Sequence, residues 1–144
     1  MINILVSTKQ SLTEVLGWLE RGQTESGEGF FCNESTIVTS HDAGELFCGL
    51  ADNRVVGFVV HNKKSVGASI DILEVHPQHR SRGFGSQLAT NAIGRLFATG
   101  AAFVTVQCSP RSSEPFWRSL GFLPQDSYPS RAGEPTHLVL HNVA

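Results

Sequence analysis

The 144 residues carry 11 Lys plus Arg against 13 Asp plus Glu, a formal net charge of -2, and 40% are hydrophobic. That length suits one domain with a real core, and the lack of a basic surplus argues against a protein that grips nucleic acid broadly. Cys32, Cys48 and Cys108 are odd in number and lack C-x-x-C pairing, which speaks against a disulfide scaffold or a thiolate zinc site and fits a reducing compartment.

The chain opens MINILVSTKQ, whose apolar run is too short for a signal peptide. No apolar stretch approaches the ~20 residues needed to span a bilayer, so a cytoplasmic location is expected. Ile2 to Val6 reads as a first strand. Ser11 with Glu14 forms a candidate capping box, and Leu12, Val15, Leu16 and Leu19 then share one helical face, with Gly22 as the expected stop. Residues 23–29 read as a polar loop. Residues 30–44 hold no period, although Ile37 and Val38 are apolar, and His41-Asp42 is a candidate for the entrance of a site.

Residues 45–51 and 55–61, joined by Asp52-Asn53-Arg54, read as a hairpin. A third strand from about Val66 to Val75 makes three consecutive antiparallel strands, and Pro77, with no amide hydrogen to give, ends the pairing. Leu88, Ala89, Ala92, Ile93, Leu96 and Phe97 then share one face of a helix from about Gly85 to Thr99, closed by Gly100. Phe103 to Cys108 alternates as a strand, and the intervening crossover helix makes parallel pairing plausible. A short helix from about Ser113 to Leu120 ends at Gly121, and His137 to Val143 is the last strand. The order βα(α)βββαβαβ, without internal repeat, describes one α/β domain on a mixed sheet, residues 1–144.

Chemistry concentrates in VHPQHRSRGFGSQL, Val75 to Leu88. Backbone amides gathered in a turn at a helix N-terminus attract anions, glycines at 83 and 85 permit tight curvature, and Arg80 and Arg82 can add charge-assisted contacts. A plain charged surface loop is the competing reading. No G-x-x-x-x-G-K-[ST] is present, and the third glycine of a dinucleotide fingerprint is replaced by Leu88.

The run from Val75 to Gly85 resembles the V-x-P-x-x-R-x-x-G-x-G acyl-CoA motif of the GNAT superfamily, the Gcn5-related N-acetyltransferases. Downstream, FWRSLGF, residues 116–122, resembles the family's second signature, a short helix ending in Leu-Gly-Phe. A helix and a strand separate the two, as the family requires, and the likeness covers about residues 2–143. It implies a single-domain acyl-CoA N-acyltransferase fold, α/β (α+β). The sheet would be mixed, mostly antiparallel and flanked by helices, with a V-shaped splay between its two central strands.

The resemblance further implies that the amides of Arg80, Ser81, Arg82, Gly83, Phe84, Gly85 and Ser86 hold the pyrophosphate of CoA. Backbone groups of Leu73 and Val75 would pair with the pantetheine arm, and the Val75 amide would polarise the acetyl carbonyl. Acetyl-CoA is then the co-substrate, with no metal; six scattered histidines do not make a ligand-spaced cluster.

The pattern breaks at the proton path. Many members place a Tyr four residues before the Gly of Leu-Gly-Phe, as general acid. Here that position is Trp117, whose indole N–H donates hydrogen bonds but is no acid at neutral pH. Trp117 is then a packing or CoA-contacting residue. Water, a serine (Ser109, Ser112 or Ser113) or the single tyrosine, Tyr128, remain as partners of the departing sulfur, and a thiolate is a tolerable leaving group because thiols titrate near ~8.5. For the base, Glu74 is preferred over Asp71, which alternation sends to the opposite face and which can instead bind a cationic amine; His76 is a possible relay. Cys108 reads as a buried small hydrophobe.

The expected activity is acetyl transfer to a primary amine by direct attack in a ternary complex; the alternative is a CoA-binding regulatory or interaction module with little or no transferase activity. The acceptor is an amine-bearing small molecule or a protein or peptide, with specificity expected from residues 22–44 and 127–134. No membrane partner is expected, and either a monomer or a homodimer is compatible.

Overall fold

The computed structural model describes residues 2–26, 34–108, 111–125 and 136–143, the side chains of 23–26 and 111 excepted. Strand β1 (Asn3–Val6) leads into helix α1 (Lys9–Ser26), followed by α2 (Glu34–Asp42). Strands β2 (Leu46–Ala51), β3 (Arg54–Lys63) and β4 (Ala68–Val75) follow, then a 3-10 turn (Pro77–His79) and α3 (Phe84–Ala98). The chain closes with β5 (Phe103–Cys108), a 3-10 turn (Arg111–Ser113), α4 (Glu114–Ser119), β6 (Leu123–Pro124) and β7 (Thr136–His141). The strands hydrogen-bond in the order β1-β2-β3-β4-β5-β7-β6. Strands β4 and β5 run parallel, at Ala68↔Val104, Ser69↔Thr105 and Ile70↔Val106, whereas β1–β2, β2–β3, β5–β7 and β6–β7 are antiparallel. This ladder ends at Ile70, and β4 itself continues to Val75.

By contact the chain divides into two compact units: Met1–His61 with Ile72–Asn91, and Asn62–Asp71 with Ala92–Ala144. In the first, α1 lies on the sheet through the face read from its sequence. Val15 and Leu19 are fully buried, Leu12 and Leu16 pack beside them, and Trp18 joins the cluster, as do Ile37 of α2 and Phe58 of β3. Each such side chain contributes roughly 1.5–3 kcal/mol relative to exposure. On the opposite side Leu88 of α3 seats over two strand glycines: a Cβ at Gly57 would stand 2.6 Å from Leu88 Cδ1, and one at Gly49 3.1 Å from Leu88 Cδ2.

The α1 start differs from the expected capping box. The reciprocal pair is Thr8 and Ser11: the Ser11 amide donates to Thr8 Oγ1 at 3.1 Å and the Thr8 amide to Ser11 Oγ at 2.8 Å. Glu14 is released for a longer-range task, accepting from the Val55 amide at 2.8 Å and from Arg54 Nε at 3.1 Å at the head of β3. The helix also runs through Gly22 to Ser26, because glycine only weakens a helix by about 1 kcal/mol and no proline follows to end it. The aperiodic 30–44 stretch contains α2, whose one buried residue is Ile37.

The hairpin reading holds, with Asp52 at φ 51 and Asn53 at φ 64, the two left-handed residues of a type I′ turn. Beyond it the β2–β3 register shifts. Leu50 faces Val55 and Gly49 faces Gly57, so Val56 is a bulged residue without a β2 partner. Its carbonyl accepts from the His76 amide at 2.7 Å, which pins the exit of β4 to the bulge, a common use of bulges beside functional sites.

In the second unit β5 pairs antiparallel with β7 along its whole length, Phe103↔His141 to Cys108↔Thr136. The two-residue β6, unread in the sequence because Leu123-Pro124 is too short to carry a period, pairs with β7. Gly100 (φ 99) and Gly121 (φ 102) take the left-handed conformation that ends the preceding helices.

Candidate active site

The turn between β4 and α3 is built entirely inside the first unit. After Val75, the His76 Nδ1 accepts from the Gln78 amide at 3.1 Å and the His76 carbonyl from the His79 amide at 2.8 Å. Pro77 occupies the first position of this 3-10 turn, where its missing N–H costs nothing. The chain then extends at Arg80 (φ -69, ψ 160) and reverses through Ser81 (φ 65) and Gly83 (φ 79). A left-handed serine is uncommon, and such residues persist only where the surroundings enforce them. At Gly83 an added Cβ would meet nothing within 4 Å; glycine is needed there for its φ, not for room.

The first rung of α3 is the Gln87 amide to the Gly83 carbonyl at 3.2 Å. The amides of Phe84, Gly85 and Ser86 precede that rung and are left to other acceptors. Ser81, Arg82, Gly83 and Ser86 are exposed, so this side of the turn opens to solvent. Several N–H groups at the positive end of a 15-residue helix form a site for an anion.

The arginines serve the turn differently from the expected direct contact. Arg80 folds back on the strand: its Nη2 donates to Glu74 Oε1 at 2.7 Å and its Nε to the Val75 carbonyl at 3.2 Å. Its guanidinium thereby ties the turn to the end of β4 and leaves its amide as the part that a phosphate can use. Arg82 Nη1 lies 3.5 Å from His79 Nδ1.

Glu74, the preferred base, is thus half of an ion pair, with its side chain only 11% exposed. By alternation it shares a face with Ile72, which packs on the α1 cluster, and with His76. The His76 ring stands 5.0 Å from Trp18. Burial, and after it the positive neighbours His79, Arg21 and Arg80, pull its pKa below the usual 6.5, against an opposing pull from Glu14. The imidazole is therefore neutral near pH 7, and because Nδ1 accepts, the proton sits on Nε2.

Of the remaining candidates, the His41-Asp42 pair lies in the first unit, with His41 Nδ1 2.7 Å from Ser7 Oγ; the others belong to the second unit or fall outside the described residues. Asp71 is exposed and accepts from Ser69 Oγ at 2.8 Å. Ser112 is exposed in the 3-10 turn before α4. Trp117 is 7% exposed, with its ring edge-to-face on Phe116 at 4.9 Å and on Phe122 at 5.5 Å; packing is the role this geometry displays. Cys108 is fully buried, as read. Ser109 and Tyr128, the 127–134 loop, and Phe30, Phe31 and Cys32 lie outside the described residues. Among the described residues no group of three or more His, Cys, Asp or Glu is placed to hold a metal ion, and no helix is long and apolar enough to cross a membrane.

Two features went unread in the sequence. The Glu74–Arg80 tie needed the strand end and turn to be folded together, six residues apart with no helical spacing to suggest it. The role of Trp18 beside His76 was masked because a helical tryptophan reads as core.

A mixed sheet of this strand order, with an amide-lined turn between β4 and α3, is the fold of the acyl-CoA N-acyltransferases. The sequence profile described as the acetyltransferase (GNAT) family matches residues 10–122, and the chain belongs to that family. Sequence comparison with curated proteins gives no match. Among solved structures, the chain is similar to N-acetylglutamate synthase from Neisseria gonorrhoeae, complexed with coenzyme A and N-acetyl-glutamate. The TM-score is 0.78 at 15% identity, over 98% of this chain and 35% of that one. PaiA N-acetyltransferase from Thermoplasma acidophilum, in complex with coenzyme A, gives a TM-score of 0.72 at 14% identity, over 99% of each chain. The ribosomal-protein-S18-alanine N-acetyltransferase from Escherichia coli gives 0.72 at 19% identity, over 96% of this chain and 91% of that one. At these identities the likeness concerns the fold.

Proposed function

We propose that the protein moves the acetyl group of acetyl-CoA to a primary amine by direct attack in a ternary complex, within a single N-acetyltransferase domain. The observation that carries the donor half is the β4–α3 turn: left-handed Ser81 and Gly83 precede a helix whose first amides have no intrahelical acceptor. The residues fit the group. Amides from Arg80 to Ser86 would hold the pyrophosphate and the backbone at Leu73 and Val75 the pantetheine arm, and bound acetyl-CoA supplies an activated thioester. The Val75 amide stabilises charge developing on the acetyl oxygen.

Proton handling by this chain falls to few groups. Glu74, held on Arg80 at the exit of β4, is the base in this reading, acting on the ammonium directly or through water. Asp71, exposed on the same strand, suits recognition of a cationic amine. Trp117 contributes a wall and no proton, so water, Ser109 or Ser112 meets the departing sulfur. Incubation with acetyl-CoA and a panel of small amines and N-terminal peptides should release free thiol above background with at least one acceptor. Absence of release with every acceptor, at enzyme concentrations that bind the donor, counts against the reading.

A second reading, a CoA-binding module with little or no transferase activity, is favoured by two observations together. The position of the usual Tyr holds a buried Trp117, and the Glu74 carboxylate is held by Arg80. Calorimetric binding of acetyl-CoA without product from any acceptor, and no catalytic loss in Glu74→Ala or Asp71→Ala, would select it.

A further inference from the structure

A second concave site lies in the first unit, beside the turn but on the α1 side. It is a cleft of about 290 Å³ between α1, the β2–β3 hairpin and the 3-10 turn. Trp18 and Arg21 of α1, Arg54, His76, His79 and Arg82 line it. Its charge is not balanced by its own acids. Glu14 is consumed by Arg54 Nε and the Val55 amide, which leaves Asp52 as the one other acid in a lining that also holds Arg21 and Arg82. The surplus is felt locally: Arg21 is among the groups that keep the His76 ring from protonating.

Trp18 is 95% removed from solvent and its indole Nε1 is closed to water, so an occupant of the cleft meets its ring carbons and not the N–H. The aromatic walls of Trp18, His76 and Phe84 suit a compact body carrying the charge.

We infer that this cleft is a binding site for a small anionic molecule, one whose carboxylate or phosphate oxygen sits between Arg21 and Arg82 with its body against the Trp18 ring. It adjoins the acyl-CoA turn without coinciding with it. Arg82 and Phe84 give their backbone to the turn while both line the cleft, so an occupant would touch the donor site through these two residues. This makes the cleft suited to an effector, or to the anionic part of an acceptor.

The test reads the two indole N–H resonances of the 15N-labelled full chain by NMR during titration with inorganic phosphate, and separately with succinate. Trp18→Phe identifies its resonance by loss. The expected result is a saturable shift of the Trp18 signal by at least one of the two anions, both in the free protein and with CoA at saturation. Arg21→Glu, on an exposed helix position, should weaken that binding about tenfold or more while leaving CoA affinity as it was. If Trp18→Phe does not fold, the same comparison on both indole signals in wild type and Arg21→Glu decides. Three outcomes overturn the inference: no shift with either anion, a shift indifferent to Arg21→Glu, or a shift that CoA alone reproduces and then blocks. The last would make the cleft a seat for a CoA phosphate.

Discussion

In the proposed donor site Arg80 acts by holding the turn and not by touching the anion. Its guanidinium spans Glu74 and the Val75 carbonyl, and so fixes where the following amides point. Arg80→Ala should weaken CoA binding by about tenfold, measured by calorimetry. The loss in stability should be only about 1 kcal/mol, because the guanidinium is 45% exposed and such pairs are screened. Arg80→Lys keeps the charge but not the fork, and should recover stability more than affinity. An affinity loss fully rescued by Lys would mean that charge alone acts there.

Two further residues give expectations that follow from burial. Cys48 has its thiol pushed up to about 11 by desolvation, helped by Glu14 and opposed by a hydrogen bond from Ser11. In the native protein Cys48 should resist alkylation at pH 8, where thiolate is the reactive form, and react once unfolded; rapid native labelling at that site, read by mass spectrometry, would contradict the burial. His76 bears on pH. Its folded pKa lies below the unfolded 6.5, so the unfolded chain takes up a proton first on acidification. The stability this contributes is complete above pH 6.5 and is lost as pH falls through 6.5 toward the folded value. Urea unfolding across that range should show the decline in wild type and less of it in His76→Asn, which keeps an acceptor for the Gln78 amide but does not titrate.

Among elements, the packing of α3 on the sheet is the most sensitive joint. Leu88 lies over Gly57, and the other neighbour of a Cβ there is the Glu74 carbonyl at 2.9 Å. The side chain of Leu88 can shift; the backbone of β4 cannot without moving the turn. Gly57→Ala should therefore cost roughly 1–3 kcal/mol and lower CoA affinity as well, whereas Gly94→Ala on the same helix, where a Cβ meets nothing within 4 Å, should be neutral or stabilising. Equal effects of the two substitutions on unfolding midpoints would rule out the close approach as the cause. The elements also show what sequence pattern conveys. Strands and helices with several buried residues in period, such as α3 or β5, were readable to within a residue or two at each end. Helix α2 was not, since a single buried Ile37 gives no period to detect. The Ser11–Glu14 spacing matched a capping box, but Thr8 stood nearer the helix start and Glu14 had a stronger partner in the Val55 amide, which only the folded hairpin brings.

For the whole molecule, the sequence supports a proposal for the donor site and none for the acceptor side, for a physical reason. Holding a pyrophosphate is backbone work, and it imposes glycine and turn chemistry at fixed spacing, which a sequence displays. Choosing an amine is side-chain work spread over distant segments, with no required spacing. The ion pair that occupies Glu74 and the burial of Trp117 were equally invisible for that reason. The donor reading has a consequence for the intact chain. A ligand that binds only the folded state at a hundred times its dissociation constant adds about 2.7 kcal/mol, which for a domain of this size is a rise of roughly 9 °C in the melting temperature. Acetyl-CoA should give such a rise. Gly83→Val should abolish it, because a β-branched residue resists φ 79, while in Trp117→Phe it should persist. Loss of the rise in Trp117→Phe with a normal melting point for the free protein would instead assign Trp117 a direct contact with CoA. No rise in the wild type at saturating acetyl-CoA would remove the donor site itself, and with it the transferase reading.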